Sequence, residues 1–202
     1  MGEDADTLRQ ESLGRLSSLL DSIDGSKVTL IGDTMLDRYH HGFANNLNST
    51  APVPVLKILN SEESPGASSH IAIGLTSFGM DVSFHTAIGD DPEGSSILSS
   101  LKENQIATGD IIQVEGRTTL TKIRFFGSRE SLLDRSQILL QADKGPNEEL
   151  DPSISESLTK TALTNVPDSC ALVISDYDKG VVTNDGAQQL IQSAKKSGIP
   201  II

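Results

Sequence analysis

One buried strand is predicted at Val28-Thr29-Leu30-Ile31-Gly32, a short apolar and β-branched run. It leads directly into Asp33-Thr34-Met35-Leu36-Asp37, which brings two carboxylates to the carboxyl end of that strand. Downstream, predicted strands and helices alternate, a pattern typical of a parallel sheet covered by helices. Because such sheets bind ligands at the carboxyl ends of their strands, the pattern predicts an α/β fold with its site at this edge.

The alternation is built from helices and strands that can be placed from periodicity and capping residues. Helices are predicted over residues 7–23, 66–78, 92–103, 152–164 and 184–196. Strands are predicted at residues 81–87, 111–114, 118–126, 138–141, 171–175 and from 199 onward. Residues 53–59 also alternate as a strand does, but their proline suits only the edge of a sheet, so we expect a small separate sheet there.

The composition excludes several classes of protein. The 202 residues carry a formal net charge of -12, and 3% of them are aromatic. Since a nucleic-acid-binding protein needs a basic face to neutralise phosphates, we expect no nucleic-acid partner. No stretch reaches the ~18 apolar residues of a membrane span, and the N-terminus has acids where a signal peptide has bases. We therefore expect a cytoplasmic protein with no membrane partner.

Disulfide and metal sites are not expected either. Cys170 is the single cysteine and sits in the apolar run Cys170-Ala171-Leu172-Val173-Ile174, so we interpret it as a buried structural thiol. His40 and His41 are adjacent and would point to opposite sides of a strand, which does not suit one metal ion.

Two segments near the first strand could bind a ligand. Asp33 and Asp37 can accept hydrogen bonds from sugar hydroxyls. The interpretation that they only cap a turn is equally well supported by the sequence. Pro65-Gly66-Ala67-Ser68-Ser69-His70 opens a predicted helix with small residues. Small residues let a ligand approach the backbone amides, but tight helix packing asks for the same residues.

Two later segments add positive charge. Lys122 and Arg124 lie on one face of a predicted strand, either as a phosphate clamp or as a solvated face. Ser175-Asp176-Tyr177-Asp178-Lys179-Gly180 follows a fully apolar strand, at the edge where an α/β fold keeps its site. For this segment a functional role is favoured over a plain turn.

Together these motifs resemble those of the ribokinase-like (PfkB) carbohydrate kinase family. Segments 32–39, 51–55, 65–67, 121–124 and 175–180 occur in the order and approximate spacing of its heptose-7-phosphate kinase branch. The resemblance implies a three-layer α/β/α sandwich with a small β lid. The lid strands would lie within about residues 38–60 and 118–142 of a kinase domain spanning 27–202, and residues 1–26 would form a helical extension.

The resemblance also implies an activity. In this branch, ATP and Mg²⁺ serve the transfer of the γ-phosphate to the anomeric oxygen of a heptose 7-phosphate, for surface-polysaccharide precursors. The partners would be that sugar phosphate and a second copy of the chain, paired through the lid. A non-catalytic sugar-phosphate-binding module and a kinase of the same family for another sugar or nucleoside are open alternatives.

Site residues can be carried over by position. Lys179 would stabilise charge in the reaction, and the substrate would be bound by Asp37, Gly66, Ala67, His70, Lys122, Arg124 and Asp176. Ala67 stands where the family usually has the second glycine of a pair, and His70 stands where it has an asparagine that helps to hold the sugar. Both departures bear on substrate identity.

The end of the chain bears on activity. The strand beginning at residue 199 stops after four residues, so we expect a fragment truncated before the nucleotide-binding half. In the family, this strand leads to motifs that supply the ATP site and the catalytic base. We therefore expect the 202-residue chain alone to be inactive as a kinase. The polar stretch from Gly127 to Ser136 makes the sequence longer than the branch pattern.

Overall fold

A computed structural model describes residues 2–128 and 136–202, which form two sheets and the helices around them. The strands are β1 (Lys27–Gly32), β2 (Thr34–Leu47), β3 (Pro54–Ala67), β4 (Asp81–Gly89), β5 (Ile111–Val114), β6 (Thr121–Ser128), β7 (Gln137–Lys144) and β8 (Ala171–Ser175). The helices are α1 (Gly2–Ile23), α2 (Ser68–Ser77), α3 (Pro92–Glu103), α4 (Pro152–Asn165) and α5 (Asn184–Ser197).

The first sheet is parallel, in the order β5-β4-β1-β8. Its central strand β1 is buried from Val28 to Gly32, because helices cover both faces. On one face Leu30 and Phe84 belong to the apolar cluster that includes residues of α2 and α3. On the other, Ile31 and Leu172 belong to the cluster with α4 and α5. The result is the predicted three-layer α/β/α arrangement.

Local signals in the sequence account for the ends of several elements. Asp91 caps α3 by accepting a 2.8 Å hydrogen bond from the Gly94 N–H, with Pro92 at the first helical position. Asp151 caps α4 in the same way through the Ser153 N–H at 2.9 Å. The prediction of a buried thiol was wrong: Cys170 is exposed, because it precedes β8 rather than lying within it.

The second sheet has the order β3-β2-β6-β7, with β2 and β6 parallel and the outer pairs antiparallel. It continues directly from the first sheet, since only Asp33 separates β1 from β2. We name this second sheet the lid sheet. The predicted edge strand at 53–59 corresponds to the first part of β3. The residue pattern did not indicate β2, because polar and aromatic side chains occur on both of its faces and break the alternation, and only the family resemblance implied a lid strand within residues 38–60. The polar stretch Gly127 to Ser136 falls mostly outside the described residues.

Helix α1 precedes the first sheet and leaves its apolar side uncovered. Leu8, Leu13, Leu16 and Leu19 are between 51% and 63% exposed. In the part of the chain that the structure describes, no helix combines the length and apolar character needed to cross a bilayer.

The order of the parallel strands determines where a ligand could bind. From β1 the chain reaches β4 and β5 on one side and then returns to β8 on the other side of β1. A crevice opens at such a reversal, outside the carboxyl ends of the two strands. The residues that follow β1 and β8, Asp33 and Asp176, therefore meet at this point. Beyond β8, Ile201 bridges to Leu172 in parallel, as predicted for a strand starting at residue 199.

Candidate functional site

The base of the lid sheet gathers one carboxylate and two cations. In the parallel register of β2 and β6, Asp37 lies opposite Lys122 and Tyr39 opposite Arg124, so all four side chains share one face. The Arg124 guanidinium donates to Asp37 Oδ1 at 2.7 Å and to the Tyr39 hydroxyl at 3.2 Å. It also lies 5.4 Å from the centre of the Tyr39 ring. Three predicted site residues thus lie together, and Tyr39 is a member that the sequence analysis missed.

Gly66 and Ala67 close the other side of this face. A β-carbon on Gly66 would collide with the Asp37 carboxylate, so a larger residue at this position would displace that side chain. The prediction that these residues open a helix was wrong by two positions, because they pair with Met35 and Thr34 of β2 and α2 begins at Ser68.

Ala67 and His70, the two departures from the family pattern, lie at the end of β3 and in the first turn of α2. Ala67 has φ 52 and ψ -128, a backbone conformation that favours glycine. His70 is exposed in the first turn of α2. Its imidazole is therefore open to a ligand or to solvent at the position where the resemblance implied a sugar contact.

Asp33 lies at the switch point, the place where the strand order reverses between β1 and β8. The side chain is 1% exposed and accepts three backbone N–H bonds, from Tyr177 at 2.8 Å, Lys179 at 3.1 Å and Val181 at 3.2 Å. Burial raises the pKa of Asp33 above its usual range, and the three donors oppose this rise. From the sequence, this carboxylate could accept hydrogen bonds from sugar hydroxyls. In the structure it accepts hydrogen bonds from the backbone of the loop after β8 instead.

That loop carries the predicted Asp176 and Lys179 at its surface. Asp176 accepts a 2.8 Å bond from the Asp178 N–H, and it forms no ion pair with Lys179 in the described chain. Lys179 lines a cleft with Asp33, Thr34, Gly89 and Arg117. The structure brings Lys179 to the switch point, and among the described residues no hydrogen bond or ion pair joins Asp176 to the lid sheet.

Arg117 is a second residue that the sequence analysis missed. Its guanidinium donates to the Lys179 carbonyl at 3.3 Å and to the Glu148 carbonyl at 3.4 Å. Burial lowers the pKa of Arg117, and the charge of Asp33 opposes this change. Its position just after β5, at the carboxyl edge of the sheet, was the available signal.

Polar contacts fix the lid sheet to α3. Glu93 accepts from Lys144 of β7 at 3.1 Å and from Arg38 of β2 at 3.5 Å. Arg38 also pairs with Glu63 of β3 at 2.6 Å, and Glu63 accepts from Ser96 of α3 at 3.1 Å. One helix thus contacts three strands of the lid sheet.

Asp91 adds a fourth attachment next to these. It accepts bonds from both the N–H and the hydroxyl of Thr119, at 2.8 and 2.6 Å, just before β6. Burial raises the pKa of Asp91, but the bonds from Thr119 and Gly94 outweigh it and leave the pKa lowered.

The sequence of this chain is similar to those of known carbohydrate kinases. Residues 26–201 match the model of the pfkB family carbohydrate kinases. The Bifunctional protein HldE of Actinobacillus pleuropneumoniae serotype 5b is 34% identical over 179 residues, which is 89% of this chain and 35% of that protein. Its counterpart in Shigella dysenteriae serotype 1 is 33% identical over 184 residues, 91% of this chain and 36% of that protein. The chain spans about a third of the length of these curated relatives.

Solved structures share the fold. Phosphofructokinase-2 from Escherichia coli, in complex with fructose-6-phosphate, superposes with a TM-score of 0.62 at 19% identity, covering 88% of this chain and 53% of that one. Ribokinase from Arabidopsis thaliana, complexed with ribose and ATP, gives a TM-score of 0.57 at 14% identity, covering 88% and 52%. The fold is therefore the ribokinase-like α/β sandwich with its lid sheet, and the chain belongs to the pfkB family of carbohydrate kinases.

Proposed function

We propose that this chain supplies the sugar-binding part of an ATP-dependent kinase that phosphorylates the anomeric oxygen of a heptose 7-phosphate. The observation that carries the proposal is the face shared by Asp37, Lys122 and Arg124 at the base of the lid sheet. A sugar phosphate carries hydroxyl donors and an anion, and this face offers a carboxylate acceptor beside two cations. The heptose itself rests on the motif resemblance to that branch of the family.

Binding would exchange one set of contacts for another. Arg124, now paired with Asp37, would turn part of its hydrogen bonding to the substrate phosphate, together with Lys122. Asp37 would then accept from a sugar hydroxyl above Gly66, with Ala67 and His70 at the rim. Because the side chains of Asp37 and Arg124 are only 16% and 21% exposed, this exchange would take place partly out of water.

Phosphoryl transfer would use the switch point. As the anomeric hydroxyl gives its proton to the catalytic base that the family resemblance implies, its oxygen bonds to the γ-phosphorus and the bond to ADP breaks. Charge then develops on the phosphoryl oxygens. Lys179 would neutralise part of that charge, whereas Asp176 would hold a sugar hydroxyl before and during the reaction.

ATP and Mg²⁺ are the co-substrate and cofactor that the family implies. Within residues 2–128 and 136–202, no three Asp, Glu, His or Cys side chains are grouped so that they could hold a metal ion. The proposed role of this chain is to bind and orient the sugar.

The assembly and setting complete the proposal. We propose residues 27–202 as part of the kinase domain and 1–26 as a helical extension, which the family match over 26–201 supports. The protein would act in the cytoplasm, where ATP and sugar phosphates are made. It would form a homodimer through the lid sheet, because that sheet exposes Val55, Ile58, Leu59, Ile138 and Leu140, and Val53 is exposed just before it.

Kinetics of the complete gene product test the proposed function. With ATP and a series of sugar phosphates, we expect a heptose 7-phosphate to be the preferred acceptor. Lys179→Ala should lower kcat by on the order of 10²-fold, the range seen for a lost electrostatic donor. Asp176→Ala should raise KM for the sugar and leave KM for ATP unchanged.

A control separates these roles from general damage. Lys102→Ala removes an exposed lysine from the last turn of α3 and should keep wild-type constants. Wild-type kinetics in Lys179→Ala would contradict its assigned role. Binding of the sugar phosphate with no transfer of phosphate by the complete gene product would favour a non-catalytic binding module instead.

A further inference from the structure

The loop that carries Lys179 needs support from outside itself. Between Asp176 and Gly180 it has neither helix nor strand. Asp178 adopts φ 59, a left-handed conformation that is unfavourable for most residues other than glycine, and Gly180 follows at φ 94. A segment with such a backbone holds one shape only if its surroundings determine it.

Asp33 supplies that support from one side. Its Oδ2 accepts from the N–H groups of Tyr177 and Lys179, and its Oδ1 accepts from the N–H of Val181. The three donors span the strained part of the loop. Asp33 itself is fixed by its own backbone, since its N–H donates to the Ser175 carbonyl and its carbonyl accepts from the Ser68 N–H, both at 3.0 Å.

Arg117 supports the loop that carries Lys179 from the other side. The Lys179 N–H is bound by Asp33 at 3.1 Å, and the Lys179 carbonyl is bound by the Arg117 guanidinium at 3.3 Å. The backbone of Lys179 is therefore held at both its donor and its acceptor. Arg117 lies four residues before β6. Its side chain therefore links the loop after β8 to the segment that leads into the lid sheet.

We infer that Asp33 and Arg117 are positioning residues that hold Lys179 for the reaction. This inference rests on the proposed function, because it assigns the pair a role only through Lys179. Neither the buried Asp33 carboxylate nor the Arg117 guanidinium needs to touch the sugar for this role. A displacement of about 1 Å at a reacting group can cost up to about 10²-fold in rate, so loss of either support should be visible in kcat.

A merely structural role for the pair predicts different behaviour. If Asp33 and Arg117 only stabilise the fold, their loss should lower stability and reduce activity equally whether or not Lys179 is present. If they act through Lys179, their effect on kcat should disappear once its ammonium group is removed. A double-mutant cycle measures this difference.

The experiment measures kcat of the complete gene product in two backgrounds. We expect Asp33→Asn and Arg117→Ala each to lower kcat about 10-fold in the wild type and less than about 2-fold in Lys179→Ala. KM for the sugar should change little. Arg117→Lys should restore part of kcat, since an ammonium group can still reach the carbonyl. Equal losses in both backgrounds would overturn the inference.

Amide hydrogen exchange on the same proteins provides a readout that needs no turnover. The N–H groups of Tyr177, Lys179 and Val181 should exchange at least about 10-fold faster in Asp33→Asn. Ser169→Ala is the matched control, because it removes a buried 2.8 Å bond to Thr29 away from the cleft, and it should leave these amides and kcat unchanged. Unchanged exchange in Asp33→Asn would overturn the inference. Faster exchange in Asp33→Asn, together with a wild-type protein that phosphorylates no sugar, would overturn the proposed function alone.

Discussion

β1 and β2 are consecutive in the chain, yet they belong to opposite kinds of structure. β1 is buried from Val28 to Gly32, whereas β2 is buried only over its first three residues and ends fully exposed. The neighbouring β3 is mostly exposed from Pro54 to Ser64. The parallel sheet is thus stabilised by apolar burial between helices, and the lid sheet by backbone pairing and a few polar contacts with α3.

This difference separates stability from recognition. The apolar clusters on the two faces of the parallel sheet give the chain its folding free energy. The lid sheet leaves polar, aromatic and apolar side chains available to other molecules. Substitutions in the parallel sheet should therefore affect the free energy of unfolding, and substitutions in the lid sheet should affect binding and assembly.

The largest effect is expected in the centre of the parallel sheet. Leu30→Ala removes a side chain with 0% exposure and should lower the free energy of unfolding by about 2–5 kcal/mol. Leu59→Ala makes the same change on a 56% exposed residue of β3 and should cost less than about 0.5 kcal/mol. Urea denaturation measures both, and equal losses would contradict the division between the two sheets.

The junction between the sheets should respond in the opposite direction. Ala67→Gly removes a β-carbon from a backbone at φ 52 and should raise the free energy of unfolding by about 1 kcal/mol. Ala72→Gly, the same change inside α2, should lower it by about 1 kcal/mol. Thermal unfolding of the two variants would distinguish them, and a loss of stability in both would show that Ala67 is not strained.

The attachment of the lid sheet should depend on pH through Asp91. Its folded pKa is lowered, so its contribution is present above the unfolded pKa of about 3.8 and is lost as pH falls through the folded value. Asp91→Asn should cost about 1 kcal/mol at about pH 7, and this cost should shrink towards about pH 3. Asp33, whose pKa is raised, has the opposite sign: its contribution is present at low pH and is lost as pH rises through its folded pKa. Urea titrations across this pH range measure the difference, and a constant cost would contradict it.

The smallest change in stability should accompany a large change in assembly. Ile58→Ser alters a 47% exposed side chain of β3 and should change the free energy of unfolding by less than about 0.5 kcal/mol. If the lid sheet forms the dimer, light scattering at micromolar concentration should show the wild-type mass halved in this variant. Lys57→Ser, on the neighbouring position, should keep the wild-type mass. A monomeric wild-type protein would remove the dimer from the proposal.

The parallel sheet was predictable because its signals are local. β5, α3 and β8 have the predicted bounds, since each is an apolar run or a periodic segment between clear caps. The residue pattern did not indicate β2, because its polar and aromatic side chains lie on both faces and leave no alternation. Its position depends on pairing with β6, which lies about eighty residues away and leaves no local mark.

The candidate site shows the same limit. The face formed by Asp37, Lys122 and Arg124 could be predicted in part, because the motifs lie in the spacing of a known family. The roles of Asp33 and Arg117 could not, because they bind backbone atoms of a loop more than sixty residues later in the chain. Such contacts depend on the strand order, which the sequence pattern left open.

The single residue between β1 and β2 has a mechanical consequence. β2 has 14 residues, so at ~3.3 Å per residue it is an arm of roughly 46 Å, which is attached at its near end by Asp33 and by the contact of Arg38 with α3. A rotation of only about 5° at that end would move the far tip by about 4 Å, by simple geometry on the same rise per residue. Asp33, at that end, is also one of the two residues that hold the backbone of Lys179. A molecule that pulls on the tip of the lid sheet would therefore exert torque on the loop at the switch point, without contacting it.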